Sequence, residues 1–297
     1  TGSTANANGE HVLNFPYNTG SDGPAGCCGF FQPSFDLVNS FRTDANGLPL
    51  LDGSYNNAAN EVKNDFGLKS NQPFTPDAGS LDPRLDHSVG RRGIPYLDWI
   101  DHPGDNWIRD QAYAGPYSPK KFVFYKGTQS TLTDGSSWTR GWTAINQPLM
   151  RFADVLLMAA EAEVEAGSLE KAREYVNRVR TRAANAASWV KRSDGSNAAN
   201  YVIGLYNTPW TDKAAANTAI RMERKLELSG EGHRFYDLVR WGIADQVLDA
   251  YLQFEGARLA NALGGATFTP NQDELYPIPQ AQIDLQGATV LKQNPGY

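Results

Sequence analysis

Four carboxylates and four arginines lie close together in the segment Ile220–Gly242. They are Arg221, Glu223, Arg224, Glu227, Glu231, Arg234, Asp237 and Arg240. Two carboxylates facing each other across a cleft could hydrolyse a glycosidic bond, provided that one of them is an acid with a raised pKa. Each carboxylate here has an arginine near it at helical spacing, which lowers a carboxyl pKa. The pattern therefore predicts ion pairs that lock two helices across a bend, without catalysis.

The cysteines and histidines do not form a pattern typical of metal or redox chemistry. The two cysteines, Cys27 and Cys28, are adjacent and could be buried thiols or a local vicinal disulfide. The four histidines, at positions 11, 87, 102 and 233, are scattered without metal-ligand spacing. His233 is interpreted as a packing residue. No metal and no cofactor is predicted.

Charge and hydropathy exclude several classes of protein. The net charge is -6 and the pI about 5.3, which argues against nucleic-acid binding and provides no basic patch for an anionic membrane. No apolar run approaches the length of a membrane-spanning helix. The first residues contain no secretory signal. The chain is therefore either cytoplasmic or lacks targeting information that has been removed.

The two halves of the chain differ in composition. Residues 1–148 hold 12 of the 17 prolines and are predicted to form loops with short strands at His11–Phe15 and Lys121–Lys126. Residues 149–297 are predicted to be helical. We therefore predict a loop-rich, aromatic-rich ligand-binding region in residues 1–148 and one compact helical region in residues 149–297.

Five helices are predicted in the second region, at 147–166, 168–183, 212–228, 233–240 and 243–254. The first two have the spacing of an antiparallel hairpin of tetratricopeptide type, which needs stacked neighbours. The first helix is apolar on nearly every side and is expected to be enclosed by other helices. This demand for burial suggests the C-terminal part of a larger protein, with a tightly self-packed bundle as the alternative.

Four segments together resemble one family. They are RFADVLLMAAEA at 151–162, IRMERKLELSGEGHRFYDLVRWG at 220–242, YPIPQ at 276–280 and QNPGY at 293–297. In this order they are similar to the SusD/RagB family of outer-membrane nutrient-binding lipoproteins of Bacteroidota. DPRL at 82–85 and GIPY at 93–96 also fit. The resemblance covers the chain but corresponds only to the C-terminal half of a family member.

The resemblance implies a mainly α, SusD-like fold in which a tetratricopeptide-type hairpin and further helices pack with a loop-rich region containing short β-strands. It also implies non-catalytic capture of a polysaccharide or oligosaccharide at the cell surface. The partner would be a SusC-like TonB-dependent transporter of the outer membrane. Membrane contact would be made only through a lipid anchor, which is missing from this chain.

Sugar faces stack on aromatic rings, and sugar hydroxyls bond to polar side chains, preferably on loops. Residues 91–110 have this composition. The candidate ligand residues are Tyr96, Trp99, Asp101, Asn106, Trp107 and Arg109, then Trp138 and Trp142, with Tyr17 and Phe30 on a second rim. Each ring could instead fill the core of an irregular domain. The alternatives for function are a helical-repeat protein that binds a peptide or protein, and a glycoside hydrolase.

Overall fold

A computed structural model describes residues 31–134, 142–143, 145 and 148–297 of the chain. The chain divides into a larger unit, Thr1–Gly232, and a smaller unit, His233–Tyr297. The described part of the larger unit contains the α-helices α1 (Phe35–Asn39), α2 (Leu85–Ser88), α3 (Gln111–Ala114), α4 (Gln129–Leu132), α5 (Phe152–Ala166), α6 (Leu169–Ala183) and α7 (Lys213–Glu227). The smaller unit contains α8 (Arg234–Arg240), α9 (Ala244–Gly256), α10 (Ala260–Leu263) and α11 (Gln280–Gln286).

The strands are short. Strand β1 (Val89–Gly90) pairs antiparallel with β2 (Ser118–Pro119), so that Val89 lies opposite Pro119. Strand β3 (Thr133–Asp134) pairs antiparallel with β4 (Trp142–Thr143). Four single-turn 3-10 helices lie in the described loops, at Ser54–Asn56, Asp105–Trp107, Lys126–Thr128 and Ala186–Ser188. The predicted mainly α fold with short strands is confirmed.

Helices α5 and α6 form the predicted hairpin, and α7 packs against both. Gly167 ends α5, and the Ser168 side chain accepts a hydrogen bond from the Lys171 amide at the start of α6. The core between the three helices consists of apolar residues at helical spacing: Leu156, Leu157, Ala160 and Val164 of α5, Ala172, Val176 and Val179 of α6, and Ala216, Ala219 and Ile220 of α7. The local pattern in the sequence was sufficient to place these helices.

Within the part of the chain that the structure describes, α5 is covered on one side only, and its enclosure on every side stays a prediction. Helices α6 and α7 cover one side, where Leu157 and Ala160 are fully buried. On the other side Phe152 is 64% exposed, and Val155 and Met158 are also exposed. Two packed neighbours cannot cover a helix that is apolar around its circumference.

The predicted strand at Lys121–Lys126 is wrong, because the strand lies earlier, at Ser118–Pro119. Phe122 has a φ of 62°, in the left-handed region, which ends the extended course of the chain. The next two residues, Val123 and Phe124, are both buried, whereas a half-buried strand would alternate. The predicted strand at His11–Phe15 and the cysteines lie outside the described residues.

The smaller unit has a core of its own. Leu238 of α8, Ala244 of α9 and Phe268 are buried together. The Phe268 amide donates to the Asp249 carboxylate at 2.8 Å, which fixes the loop after α10 to α9. Helices α8 and α9 confirm the predicted ones, and the short helices α10 and α11 were not predicted. Among the described residues, no helix is long and apolar enough to cross a bilayer.

Candidate functional site

The loop of residues 91–110 begins directly after β1 and is fastened to the core by buried charges. Arg91 donates to both oxygens of Asp86, at 2.6 and 2.9 Å. The Lys120 ammonium donates to the Asp86 and Pro95 carbonyls, at 2.6 and 2.7 Å. Burial lowers the Lys120 pKa to about 8, against the opposing effect of Asp86. These contacts give the exposed end of the loop a rigid base.

Two of the predicted ligand rings, Tyr96 and Trp107, lie in the interior. Tyr96 is fully buried, and its hydroxyl donates to the Pro119 carbonyl. Its ring packs so closely against Gly90 that a side chain there would collide with it. Trp107 is 6% exposed, with its ring 5.4 Å from that of Tyr96 at 82°. Both rings fill the core, which is the alternative to ligand binding that the sequence analysis gave for each ring.

Trp99 lies nearer the surface and is only partly buried. Its indole N–H donates to the Phe124 carbonyl at 3.2 Å, and its ring centroid is 6.0 Å from that of Phe124. The following residue, Tyr125, is 53% exposed. Tyr125 was not predicted as a ligand residue because the segment that contains it was interpreted as a strand.

Asp98 ties the two surface loops together. Its carboxylate accepts hydrogen bonds from the Lys126 and Gly127 amides, at 2.6 and 2.9 Å. Burial by itself raises the Asp98 pKa, but these two amides outweigh it and lower the pKa. Trp99 and Tyr125 therefore lie on two loops that are joined by the hydrogen bonds of Asp98. We call this surface, formed by residues 98–100 and 125–127, the aromatic surface.

The other predicted ligand residues have different positions. Asp101, Asn106 and Arg109 are exposed, and an Asp101 oxygen lies 3.9 Å from the Arg192 guanidinium. Trp142 lies on β4. Tyr17, Phe30 and Trp138 lie outside the described residues. The ligand roles of all these residues stay predictions.

The carboxylates of α7 form a buried ionic network with arginines from distant parts of the chain. Arg84 donates to Glu223 at 2.5 Å, to Glu227 at 3.1 Å and to Asp82 at 2.7 Å. Arg180, also fully buried, donates to the other oxygen of Glu223 at 2.9 Å. We call Asp82, Arg84, Arg180 and Glu223 the inner layer.

Three further cations surround Glu227 and Glu231. Arg151 donates to Glu227 at 2.6 Å and to Glu231 at 2.7 Å. Arg182 donates to both oxygens of Glu227 at 2.7 Å, and Lys121 donates to Glu231 at 2.6 Å. We call Lys121, Arg151, Arg182, Glu227 and Glu231 the outer layer.

At Glu227 and Glu231 the pKa shifts have the predicted direction. Burial alone would raise the pKa of Glu227, but the guanidinium groups of Arg84, Arg182 and Arg151 lower it. Burial is likewise outweighed at Glu231, where Arg151 and Lys121 lower the pKa. Neither carboxyl has the raised pKa that a glycosidase acid needs at neutral pH.

The predicted source of the positive charge was wrong, however. The cations at Glu223, Glu227 and Glu231 come mainly from α2, α5 and α6 or the residues beside them, whereas local spacing had indicated arginines within the segment itself. In the smaller unit, Asp237 does pair with Arg240, at 2.8 Å. The predicted lock between two helices across the bend stays a prediction.

A pocket of about 270 Å³ opens beside the outer layer. Its charged lining residues are Lys121, Arg151, Arg182, Glu227 and Glu231, together with the buried Arg84. Phe122 and Pro148 are its apolar lining residues, and His87 and Ser88 complete the lining. Within the described part of the chain, no group of three or more His, Cys, Asp or Glu residues could hold a metal ion.

A model of the SusD family matches residues 1–297, the whole chain. The chain belongs to the SusD family. SusD-like protein P25 of Formosa agariphila is 41% identical over 111 residues, which are 37% of this chain and 18% of that protein. SusD-like protein P2 of the same organism is 34% identical over 152 residues, which are 50% of this chain and 25% of that protein.

Solved structures of SusD proteins share the fold. A SusD superfamily protein from Bacteroides vulgatus gives a TM-score of 0.51 at 23% identity, over 90% of this chain and 44% of that one. A SusD-like protein from Bacteroides fragilis gives 0.52 at 20% identity, over 90% and 47%. The matched region therefore spans less than half the length of each of these relatives.

Within this SusD chain, the segments that carry the family resemblance meet in the ionic network. Arg84 comes from DPRL at 82–85 and Arg151 begins the segment at 151–162. Glu223, Glu227 and Glu231 come from the segment at 220–242. Arg84 and Arg151 both donate to Glu227, so these three segments are joined by direct hydrogen bonds.

Proposed function

We propose that this SusD chain binds glycans without catalysis, as part of a surface protein that delivers them to a SusC-like TonB-dependent transporter of the outer membrane. Family membership supports this class of function. The full-length protein would be held to the membrane by a lipid anchor. The ligand is a polysaccharide or oligosaccharide, and no cofactor takes part.

The aromatic surface is the observation that carries the proposal. Trp99 and Tyr125 come from two loops joined through Asp98, and the indole N–H of Trp99 is fixed by the Phe124 carbonyl. A pyranose ring can stack its C–H face on an indole or phenol ring whose position is fixed before binding. The exposed carboxylate of Asp101 belongs to the same loop as Trp99 and could accept hydrogen bonds from sugar hydroxyls.

The carboxylates argue against hydrolysis at the network. Glu227 and Glu231 have lowered pKa values and are held in several hydrogen bonds each. A general acid for glycoside cleavage must be protonated near neutral pH. We therefore assign these groups to structure and to ligand contact.

Binding is tested by isothermal titration calorimetry of the full chain against starch, laminarin, pectin, alginate and a peptide mixture. We expect heat with at least one glycan and a loss of at least tenfold in affinity in Trp99→Ala and Tyr125→Ala. Tyr236→Ala is the matched control, because Tyr236 is 68% exposed and lies on α8. Binding to peptides alone, or equal affinity in Trp99→Ala and Tyr236→Ala, would contradict the proposal.

A further inference from the structure

The pocket beside the outer layer has a surplus of positive charge. The inner layer behind it is balanced, because Arg84 and Arg180 face Asp82 and Glu223. In the outer layer, three cations face only two carboxylates, Glu227 and Glu231. Among the residues described in this wall, the excess is one positive charge.

The donor groups of Arg182 are only partly used. Its Nη2 donates to both oxygens of Glu227, and among the described residues its Nε and Nη1 have no acceptor. The Arg182 side chain is 62% exposed, so these N–H groups are accessible to a ligand that enters the pocket. Guanidinium N–H groups bind carboxylates and sulfate-like oxyanions strongly.

The lining of the pocket also includes apolar side chains. Phe122 and Pro148 both line it, and Phe122 also packs against the buried cluster that contains Tyr96 and Phe124. Phe122 has a φ of 62°, an unfavourable conformation for a bulky residue. Such outliers occur more often at binding sites than elsewhere. An aromatic ring and cationic side chains in the lining of one pocket suit a pyranose ring that carries an anionic substituent.

We infer that this pocket binds a sugar ring carrying one anionic group, either a uronate carboxylate or a sulfate ester. The anion offsets the single surplus charge and accepts from Arg182, while the C–H face of the ring packs on Phe122. The volume of about 270 Å³ admits one monosaccharide unit. The inference rests on the proposed function and narrows its ligands to acidic glycans.

The test is calorimetry of the full chain with methyl glucuronide, glucose 6-sulfate and methyl glucoside. We expect at least one of the two anions to bind at least tenfold more tightly than the neutral sugar, and the anion that binds more tightly identifies the group. Arg182→Gln should reduce affinity for the anion at least tenfold. Arg178→Gln is the matched control, since Arg178 lies one turn earlier on α6, is exposed and does not line the pocket.

A second measurement is independent of any variant. The affinity of the wild-type chain for the anion should fall as sodium chloride rises from 50 to 500 mM, whereas binding of neutral glycans should not. Equal affinity for the three sugars, equal effects of Arg182→Gln and Arg178→Gln, or no salt dependence would overturn the inference. Neutral glycans that still bind and depend on Trp99 would leave the proposed function intact, so the two failures are distinguishable.

Discussion

At the scale of single residues, Glu227 shows how burial and charge oppose each other. Its side chain is 2% exposed, a position where an unpaired carboxylate would be costly. Arg84, Arg151 and Arg182 donate to its two oxygens. Their combined field keeps the carboxyl ionised, and its lowered pKa makes it a structural anion at neutral pH.

Replacing Glu227 by Gln should therefore destabilise the larger unit. The change leaves three guanidinium groups without their shared anion, and we expect the free energy of unfolding to fall by about 3–5 kcal/mol. Urea unfolding followed by circular dichroism measures the loss. Glu174→Gln is the control, because Glu174 is half-exposed in an i,i+3 pair with Lys171 and should change stability by less than about 0.5 kcal/mol. Equal effects of the two changes would contradict a buried network.

Asp65 differs from Glu227, because its pKa is raised and not lowered. Burial raises its pKa to about 6, although Arg92 lies 3.9 Å away and opposes the shift. Its buried Oδ2 has no hydrogen-bond partner among the described residues, and it faces Gly104 in the loop that presents Trp99. Because the folded pKa lies above the unfolded value near 3.8, the stability from this group is complete below pH 3.8. It is lost as the pH rises through about 6.

We expect the Asp65→Asn variant not to lose stability in this way as the pH rises. Between pH 5 and pH 7.5 the free energy of unfolding of the wild type should fall by about 1 kcal/mol relative to the variant. Urea unfolding at both pH values provides the measurement. Asp52→Asn should show no such difference, because Asp52 has a lowered pKa and does not titrate in this range. A wild type and an Asp65→Asn variant with parallel pH profiles would show that Asp65 is ionised without penalty.

At the scale of elements, α7 provides two of the network's carboxylates, and its start is fixed by a cap. The Asp212 carboxylate accepts from the Ala215 amide at 2.7 Å. Asp212→Ala should cost about 1 kcal/mol of stability, whereas Asp212→Asn, which can still cap, should cost much less. Chemical unfolding of both variants is the measurement, and an alanine variant as stable as the asparagine one would contradict the cap.

The helices could be predicted because their signals are local. Ser168 and Asp212 mark helix starts, and the apolar residues of α5 and α6 repeat at helical spacing. The partners of Glu223 and Glu227 could not be predicted, because Arg84 lies 139 and 143 residues away from them. No spacing rule connects such distant positions.

The site was less predictable than the helices, since ring exposure depends on tertiary packing. Tyr96, Trp99 and Trp107 are all aromatic residues of the loop 91–110 with polar residues nearby in the sequence. Tyr96 and Trp107 nevertheless fill the core, while Trp99 remains partly exposed. Tyr125 was missed because its segment consists of strand-forming residues. The left-handed backbone conformation of Phe122 interrupts that segment. A phenylalanine in the sequence does not indicate such a conformation.

At the scale of the whole molecule, the chain is a SusD protein with a helical hairpin, a loop-rich region and a separate C-terminal unit. The ionic network joins the loop residue Arg84 to α5, α6 and α7 within the larger unit. The loops that carry Trp99 and Tyr125 are therefore attached to a part of the larger unit that the ionic network makes rigid. The predicted assignment of ligand binding to residues 1–148 stays a prediction.

The position of the ligand can be determined in a crystal structure of the full chain with the oligosaccharide that binds most tightly in calorimetry. We expect a sugar ring stacked within about 4 Å of the Trp99 indole, with Tyr125 beside it. Asp98 should still accept from the Lys126 and Gly127 amides. A bound sugar that touches neither Trp99 nor Tyr125 would contradict the assignment of the aromatic surface.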